Sequence, residues 1–263
     1  MKLQVLVTTM HQKDIEKYHQ MNLQTDAVIA NQCDDNRYLR QETNGHTVQM
    51  ISTTTRGTSR NRNIALAHSD KEADLILFSD DDLFFNDGYV QQIIDEFEKH
   101  PDAEAIKFNL HDLSDTRKIS MKKIIKFEKA TRRNMSSSGV CGLAIKQETL
   151  LKRSLHFHEY FGPGTKNYRG EDTLFLMEML EKRIKFYRSP IDIAGINQTE
   201  STWFQGYDER YFETAGMVLG TVFPLLSYFL VIRCAYRSSK RDDCHLGFWR
   251  TMKCYYRGLR KHV

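Results

Sequence analysis

Leu75-Ile76-Leu77-Phe78-Ser79-Asp80-Asp81-Asp82-Leu83 joins four apolar residues to three consecutive carboxylates. An apolar run this short reads as a strand buried on both faces. Such a strand belongs to a mostly parallel sheet with helices on either side. The carboxylates stand at its carboxyl end, where they repel one another unless solvated or neutralised by a cation. Hard oxygen ligands suit Mg2+ or Mn2+, and Mg2+ commonly takes one or two carboxylates plus substrate phosphates. An acidic capping turn is the other reading of the same three residues.

Outward from this run, short apolar stretches alternate with amphipathic ones. Val5 to Thr9, Thr25 to Asn31, Val48 to Ser52 and Ala105 to Leu110 read as strands. Ser59 to His68 reads as a helix with Ile64, Ala65 and Ala67 turned inward, and Asp87 to Lys99 as a helix capped by Asp87 and followed by Pro101. Cys141 to Ile145 is a small-residue strand, followed by a helix over Gln147 to Ser154. Glu171 to Arg183 is a helix, and Ile184 to Tyr187 a strand. The alternation predicts an α/β fold, and such sheets bind ligands beyond the carboxyl ends of their strands. Thr8 and Thr9 follow the first strand, Asp34 and Asp35 the second, and Asp80, Asp81 and Asp82 the fourth, so small polar and acidic residues collect on one edge.

Two further segments carry chemistry. Thr55-Arg56-Gly57-Thr58-Ser59-Arg60-Asn61-Arg62 leads small residues and three arginines into a helix, which suits a phosphate or a uracil edge as well as it suits a solvated basic helix start. Tyr168-Arg169-Gly170-Glu171-Asp172-Thr173 opens a helix with two carboxylates. The helix dipole favours acidic residues there but also weakens them as bases, so a catalytic role needs burial or a nearby negative charge.

In this order the segments resemble the family 2 glycosyltransferases of the GT-A fold, a Rossmann-like, mostly parallel sheet flanked by helices. Thr8-Thr9 ends the family's opening strand. Cys33-Asp34-Asp35-Asn36 resembles its acidic loop, Gly57 to Leu66 its Arg-Asn helix, Asp80-Asp81-Asp82 its Asp-x-Asp signature, and Glu171-Asp172 its Glu-Asp pair. The resemblance runs over residues 3 to 205. It implies that Thr8, Thr9, Asp34, Asp35, Arg60, Arg62, Asp80 and Asp81 hold a nucleotide-sugar donor, a UDP-sugar. Asp82 would ligate a Mn2+ or Mg2+ ion, and Asp172, with Glu171 beside it, would act as general base in an inverting transfer. Trp203 would stand on the acceptor side. Where family members often place a His metal ligand, Gly195-Ile196-Asn197-Gln198-Thr199 offers Asn197 instead. The family implies as acceptor a glycan or lipid-linked saccharide in bacterial capsule or exopolysaccharide assembly.

The five scattered cysteines, without a CxxC pair, read as reduced thiols in a cytosolic protein, and Met1 to Val7 reads as a strand rather than a signal peptide. The chain divides into a catalytic domain over 1–205 and a helical extension over 206–263. Within the extension, Ala215 to Ile232 is eighteen residues without charge, interrupted by Pro224 and short for a membrane span. From Arg233 onward nine Lys/Arg stand against two Asp/Glu, interleaved with aromatics. That composition suits an anionic membrane surface, which would put the protein at the inner face of the cell membrane; a packed core helix with a solvated tail is the competing reading. The net charge of +4 comes from this tail, and the acidic remainder argues against nucleic acid. Two other functions stay open: a nucleotidyltransferase that makes a nucleotide-sugar, although a Gly-rich, Lys-containing loop near the first strand is missing, and a non-catalytic glycan-binding relative.

Overall fold

The structure is a computed structural model that describes residues 1–113, 123–136, 138–197 and 206–261. In chain order its elements are β1 (Leu3–Met10), α1 (Glu16–Gln20), β2 (Asp26–Gln32), β3 (Arg37–Thr43), β4 (His46–Thr53), α2 (Thr58–Ala67), β5 (Leu75–Asp80), β6 (Leu83–Phe85) and α3 (Tyr89–Lys99). They continue with β7 (Ala105–Asp112), β8 (Glu128–Lys129), α4 (Arg132–Met135), β9 (Leu143–Lys146), α5 (Gln147–Lys152), α6 (Glu171–Glu181), β10 (Phe186–Ile196), α7 (Glu209–Val222), α8 (Ser227–Ser239) and α9 (Gly247–Leu259).

One sheet runs in the order β3-β4-β2-β1-β5-β9-β7-β10-β6, with β8 paired to β10. Strands β4, β2, β1 and β5 are parallel neighbours, as are β7 and β10. Strand β9 enters between β5 and β7 antiparallel to both, so its start lies at the edge where its neighbours end. The β3–β4 hairpin turns through Asn44 and Gly45, both at positive φ, the geometry that Asn-Gly supplies.

Side chains alternate between the faces of the sheet and fill two cores. Val5, Val7, Ala27, Ile29 and Leu77 pack with Tyr18, Tyr89, Ile93 and Phe97 from α1 and α3. Leu6, Val28, Ala30, Ile76 and Phe78 pack with Ala65, Phe175, Leu176 and Met179 from α2 and α6. Both faces are therefore covered, as the apolar strands require.

Several local expectations change. Asp87 does not cap α3; its carboxylate accepts hydrogen bonds from Asn22 and Gln24, and Gly88 in the left-handed region starts the helix. Ala67 is exposed, whereas Asn61 and Arg62 are buried, because α2 lies over the carboxyl ends of strands and meets carbonyls and carboxylates there. The uncharged run over 215–232 is split between α7 and α8 at Pro224, whose ring and missing N–H end the first helix. No helix among the described residues is long and apolar enough to cross a membrane.

Helices α7, α8 and α9 enclose a third core of Phe212, Val231, Ala235, Cys254, Tyr255 and Leu259. Gly216 and Gly258 let α7 and α9 touch backbone to backbone: a Cβ on Gly216 would stand 2.2 Å from the Tyr255 carbonyl oxygen. Val222, with Val218 and Phe223, reaches back into the second core, so α7 joins the extension to the sheet domain.

Candidate active site

The site is built around Arg62. Helix α2 is fixed over the sheet by Asn61, whose amide donates to the carbonyls of Thr9 and Ala30, at 3.1 and 2.8 Å, at the ends of β1 and β2. Ser59 Oγ donates to the Phe161 carbonyl at 2.7 Å. Arg62, one turn further, is 4% exposed. Its guanidinium donates to Asp172 Oδ1 at 2.5 Å and to both oxygens of Asp80 at 3.0 Å, and Glu171 Oε1 lies 3.8 Å away. The Phe157 ring, stacked on Phe175, lies 5.2 Å beneath it. Burial works against the guanidinium charge, but Asp172 and Asp80 hold its pKa well above the ordinary arginine value.

The three aspartates at the end of β5 have different surroundings. Asp80 also accepts from Thr8 Oγ1 at 2.6 Å and from the Cys141 thiol. Burial pushes its pKa up, yet Arg62 and these donors bring it below the usual carboxylate value. Asp81 accepts from Thr9 Oγ1 at 2.5 Å, and burial leaves its pKa raised. Asp82 lies in the turn before β6, and its carbonyl accepts the Asn197 amide at 2.9 Å. The end of β10, which the sequence marks by Asn197, is thus beside Asp82.

Glu171 and Asp172 open α6, with Gly170 at φ 103° before them. Asp172 Oδ2 accepts the Val140 amide at 3.1 Å, a donor supplied by the segment that leads into β9. Glu171 is buried against Gly162, and burial together with the Asp172 charge raises its pKa. Thr8, Arg62, Asp80, Glu171 and Asp172 therefore form one contiguous group, although 164 residues separate its ends in the chain.

Other expected residues are placed differently. Asp34 is exposed beyond β2, held at 2.7 Å by Arg56, which also donates to the Cys33 carbonyl. Asp35 lies next to the Cys33 thiol. Arg60 points away from the aspartates and pairs with Glu159 at 3.2 Å. The start of α2 is not an open anion site, because the Thr58 amide donates to the Pro163 carbonyl and Gly164 packs against Gly57. Trp203 lies outside the described residues. Lys107 is a residue that motif reading misses. It is buried in β7, its ammonium donates to the Cys141 carbonyl, and burial lowers its pKa to about 8. Its only sequence signal is a lysine within the apolar run of Ala105 to Leu110.

Among the described residues no group of three His, Cys, Asp or Glu is placed to hold a metal ion. Asp80 is committed to Arg62 and Thr8. A cation at this edge would have to draw most of its shell from ligand phosphate oxygens and water, as Mg2+ commonly does.

A mostly parallel sheet with β9 reversed inside it and further antiparallel strands toward its edges, an acidic cluster at its carboxyl edge and a Glu-Asp helix facing it is the GT-A architecture. The family model described as Glycosyl transferase family 2 matches residues 24–164, more than half of the chain, and the chain belongs to that family. Solved structures of S. aureus TarS are similar in fold. Residues 1–349 of TarS in complex with UDP-GlcNAc give a TM-score of 0.63 at 16% identity, covering 83% of this chain and 66% of that one. The same TarS fragment in complex with UDP gives 0.58 at 13% identity, covering 99% and 91%. Another crystal structure of S. aureus TarS gives 0.64 at 13% identity, covering 92% of this chain and 44% of that chain. No curated protein matches the sequence.

Proposed function

We propose that the protein is an inverting glycosyltransferase that moves a sugar from a nucleoside-diphosphate donor, a UDP-sugar, to a hydroxyl of a glycan or lipid-linked saccharide in surface polysaccharide synthesis. What carries the reading is Arg62, which ties Asp80 on the donor side to Asp172 at the start of α6. Thr8, Asp80 and Arg62 line the edge where such folds take nucleotides. The TarS complexes with UDP-GlcNAc and UDP add to this choice of donor.

In the reaction the acceptor oxygen attacks the anomeric carbon from the side opposite the diphosphate. The carbon–oxygen bond to phosphate breaks, UDP leaves, and Asp172 receives the acceptor proton. Asp172 is suited to this because Arg62 and the Val140 amide fix its orientation. A Mn2+ or Mg2+ ion on Asp82 would neutralise the departing diphosphate. Contact with the inner face of the cell membrane through residues 215–263 would bring a lipid-linked acceptor within reach.

The test is turnover of a nucleotide-sugar panel by the purified protein with Mn2+, with donor affinity measured in parallel. Asp172→Asn should lower transfer on the order of a thousandfold while UDP binds within a few-fold of wild type. Asp82→Asn should weaken the response to Mn2+. No turnover of any donor, or an Asp172→Asn variant as fast as wild type, would sink the proposal.

A further inference from the structure

We infer that the outer face of α8, with the turn before it, is a docking surface for an anionic lipid bilayer. The inference refines the membrane contact proposed above and rests on it. Leu225, Phe229, Ile232 and Tyr236 recur at three- and four-residue spacing and form one stripe, exposed by 87, 74, 47 and 58%. Leu226 and Tyr228 widen it. A contiguous exposed stripe of large apolar side chains beside a well-packed inner face needs a cover. The inner face is already used: Ser227, Val231 and Ala235 are buried, the latter two against α7 and α9.

Charge selects the cover. Helix α8 contains no acidic residue, and Arg233, Arg237 and Lys240 lie beside the stripe, all exposed. Among the described residues none of these three has an ion-pair partner, and Lys240 lies over the Tyr236 ring. The basic residues of α9 are in a different position. Arg250 and Arg257 pair with Glu209, Arg257 and Lys261 with Glu213, all within about 3 Å across the α7–α9 contact. Part of the basic tail is therefore spent inside the fold, and α8 carries unpaired cations next to apolar area. A second copy stacked on the same face would bring Arg233, Arg237 and Lys240 against their own kind. A bilayer with acidic headgroups meets both demands: the stripe enters the acyl boundary and the cations stay at headgroup level.

Flotation of the full chain with vesicles tests this, using phosphatidylcholine alone and equal parts phosphatidylcholine and phosphatidylglycerol. The wild type should float with the mixed vesicles, less so at high salt, and stay down with phosphatidylcholine alone. Phe229→Ser/Ile232→Ser should lower partitioning at least about tenfold, and Arg233→Gln/Arg237→Gln/Lys240→Gln on the order of a hundredfold. All five side chains are exposed, so unfolding midpoints should not move; where the serine pair does shift the midpoint, the glutamine triple carries the test. A wild type that ignores both vesicles overturns this inference and the membrane contact together. A wild type that floats while both variants float equally well leaves membrane contact standing and removes α8. Equal flotation with neutral vesicles overturns the anionic preference, and a dimer dissolved by the serine pair assigns the face to a second copy. UDP binding by the same variants in vesicle-free buffer reports on the donor site separately.

Discussion

Arg62 is buried with its charge because three carboxylates surround it, and the cost of changing it follows from that. Removing one partner of a buried ion network leaves the others uncompensated, at about 3–5 kcal/mol. Arg62→Met should therefore lower stability by about that amount and weaken UDP binding, read by urea unfolding and by nucleotide titration. Lys107 behaves in the opposite sense. Its folded pKa of about 8 lies below its ordinary 10.5, so the unfolded chain holds the proton more tightly. The stabilising difference is full above 10.5 and is lost as the pH falls through 8, an effect on the order of 3 kcal/mol. Wild-type stability should carry a rising contribution between about pH 8 and 10.5, which Lys107→Met removes; parallel urea midpoints for the two proteins would show it. Arg62 is legible in the sequence because it lies in a recognisable helix start. Lys107 is not, because the carbonyl it reaches belongs to Cys141, 34 residues away.

Elements were legible where their apolar pattern is set by the sheet. Strand β5 and its terminal aspartates, β7, and the start of α6 at Glu171 all follow from apolar period and capping residues. The reversed direction of β9 was not legible, since four residues of Leu-Ala-Ile-Lys pack equally well in either direction. Strand β3 is not legible because its residues are mostly polar and exposed at the sheet edge, although Asn44-Gly45 marks its hairpin. Helix α2 was legible only in part: Ile64 and Ala65 do pack on the second core, but the helix also buries the amide of Asn61 and the guanidinium of Arg62, which apolar periodicity does not report, and Ala67 is exposed. The helices of the extension depend on glycine. A Cβ on Gly258 would meet the Glu213 carbonyl oxygen at 2.0 Å, and one on Gly216 the Tyr255 carbonyl at 2.2 Å. Neither carbonyl belongs to a flexible side chain, so α7 and α9 must part. Gly216→Ala should cost at least about 2 kcal/mol, seen as early loss of helical signal in thermal unfolding and as faster proteolysis within 206–261.

At the scale of the whole molecule, the proposed boundary near residue 205 separates a sheet domain from a helical one that still supports it. Val218 packs on Gly170, the residue before Glu171, and Arg132 donates to the Val222 carbonyl at 2.6 Å. Truncation after residue 205 should leave a chain that folds but melts several degrees lower, because Val222 and its neighbours no longer cover the second core. It should also lose donor turnover more than donor affinity, since the missing packing lies under Glu171 and Asp172 rather than under Thr8 and Asp80. Calorimetry and UDP titration of the truncated chain would check both.

The reversal of β9 has a consequence for how this site tolerates drift. The segment leading into that strand holds Asp172 through the main-chain amide of Val140, not through a side chain. Every residue except proline carries that donor. Side-chain substitution at position 140 tests packing alone, so an alanine scan would pass over one of the two groups that orient the proposed base. An anchor made of backbone can outlast the letters around it, and a fold shared at 13–16% identity can keep it with no shared letter at that position.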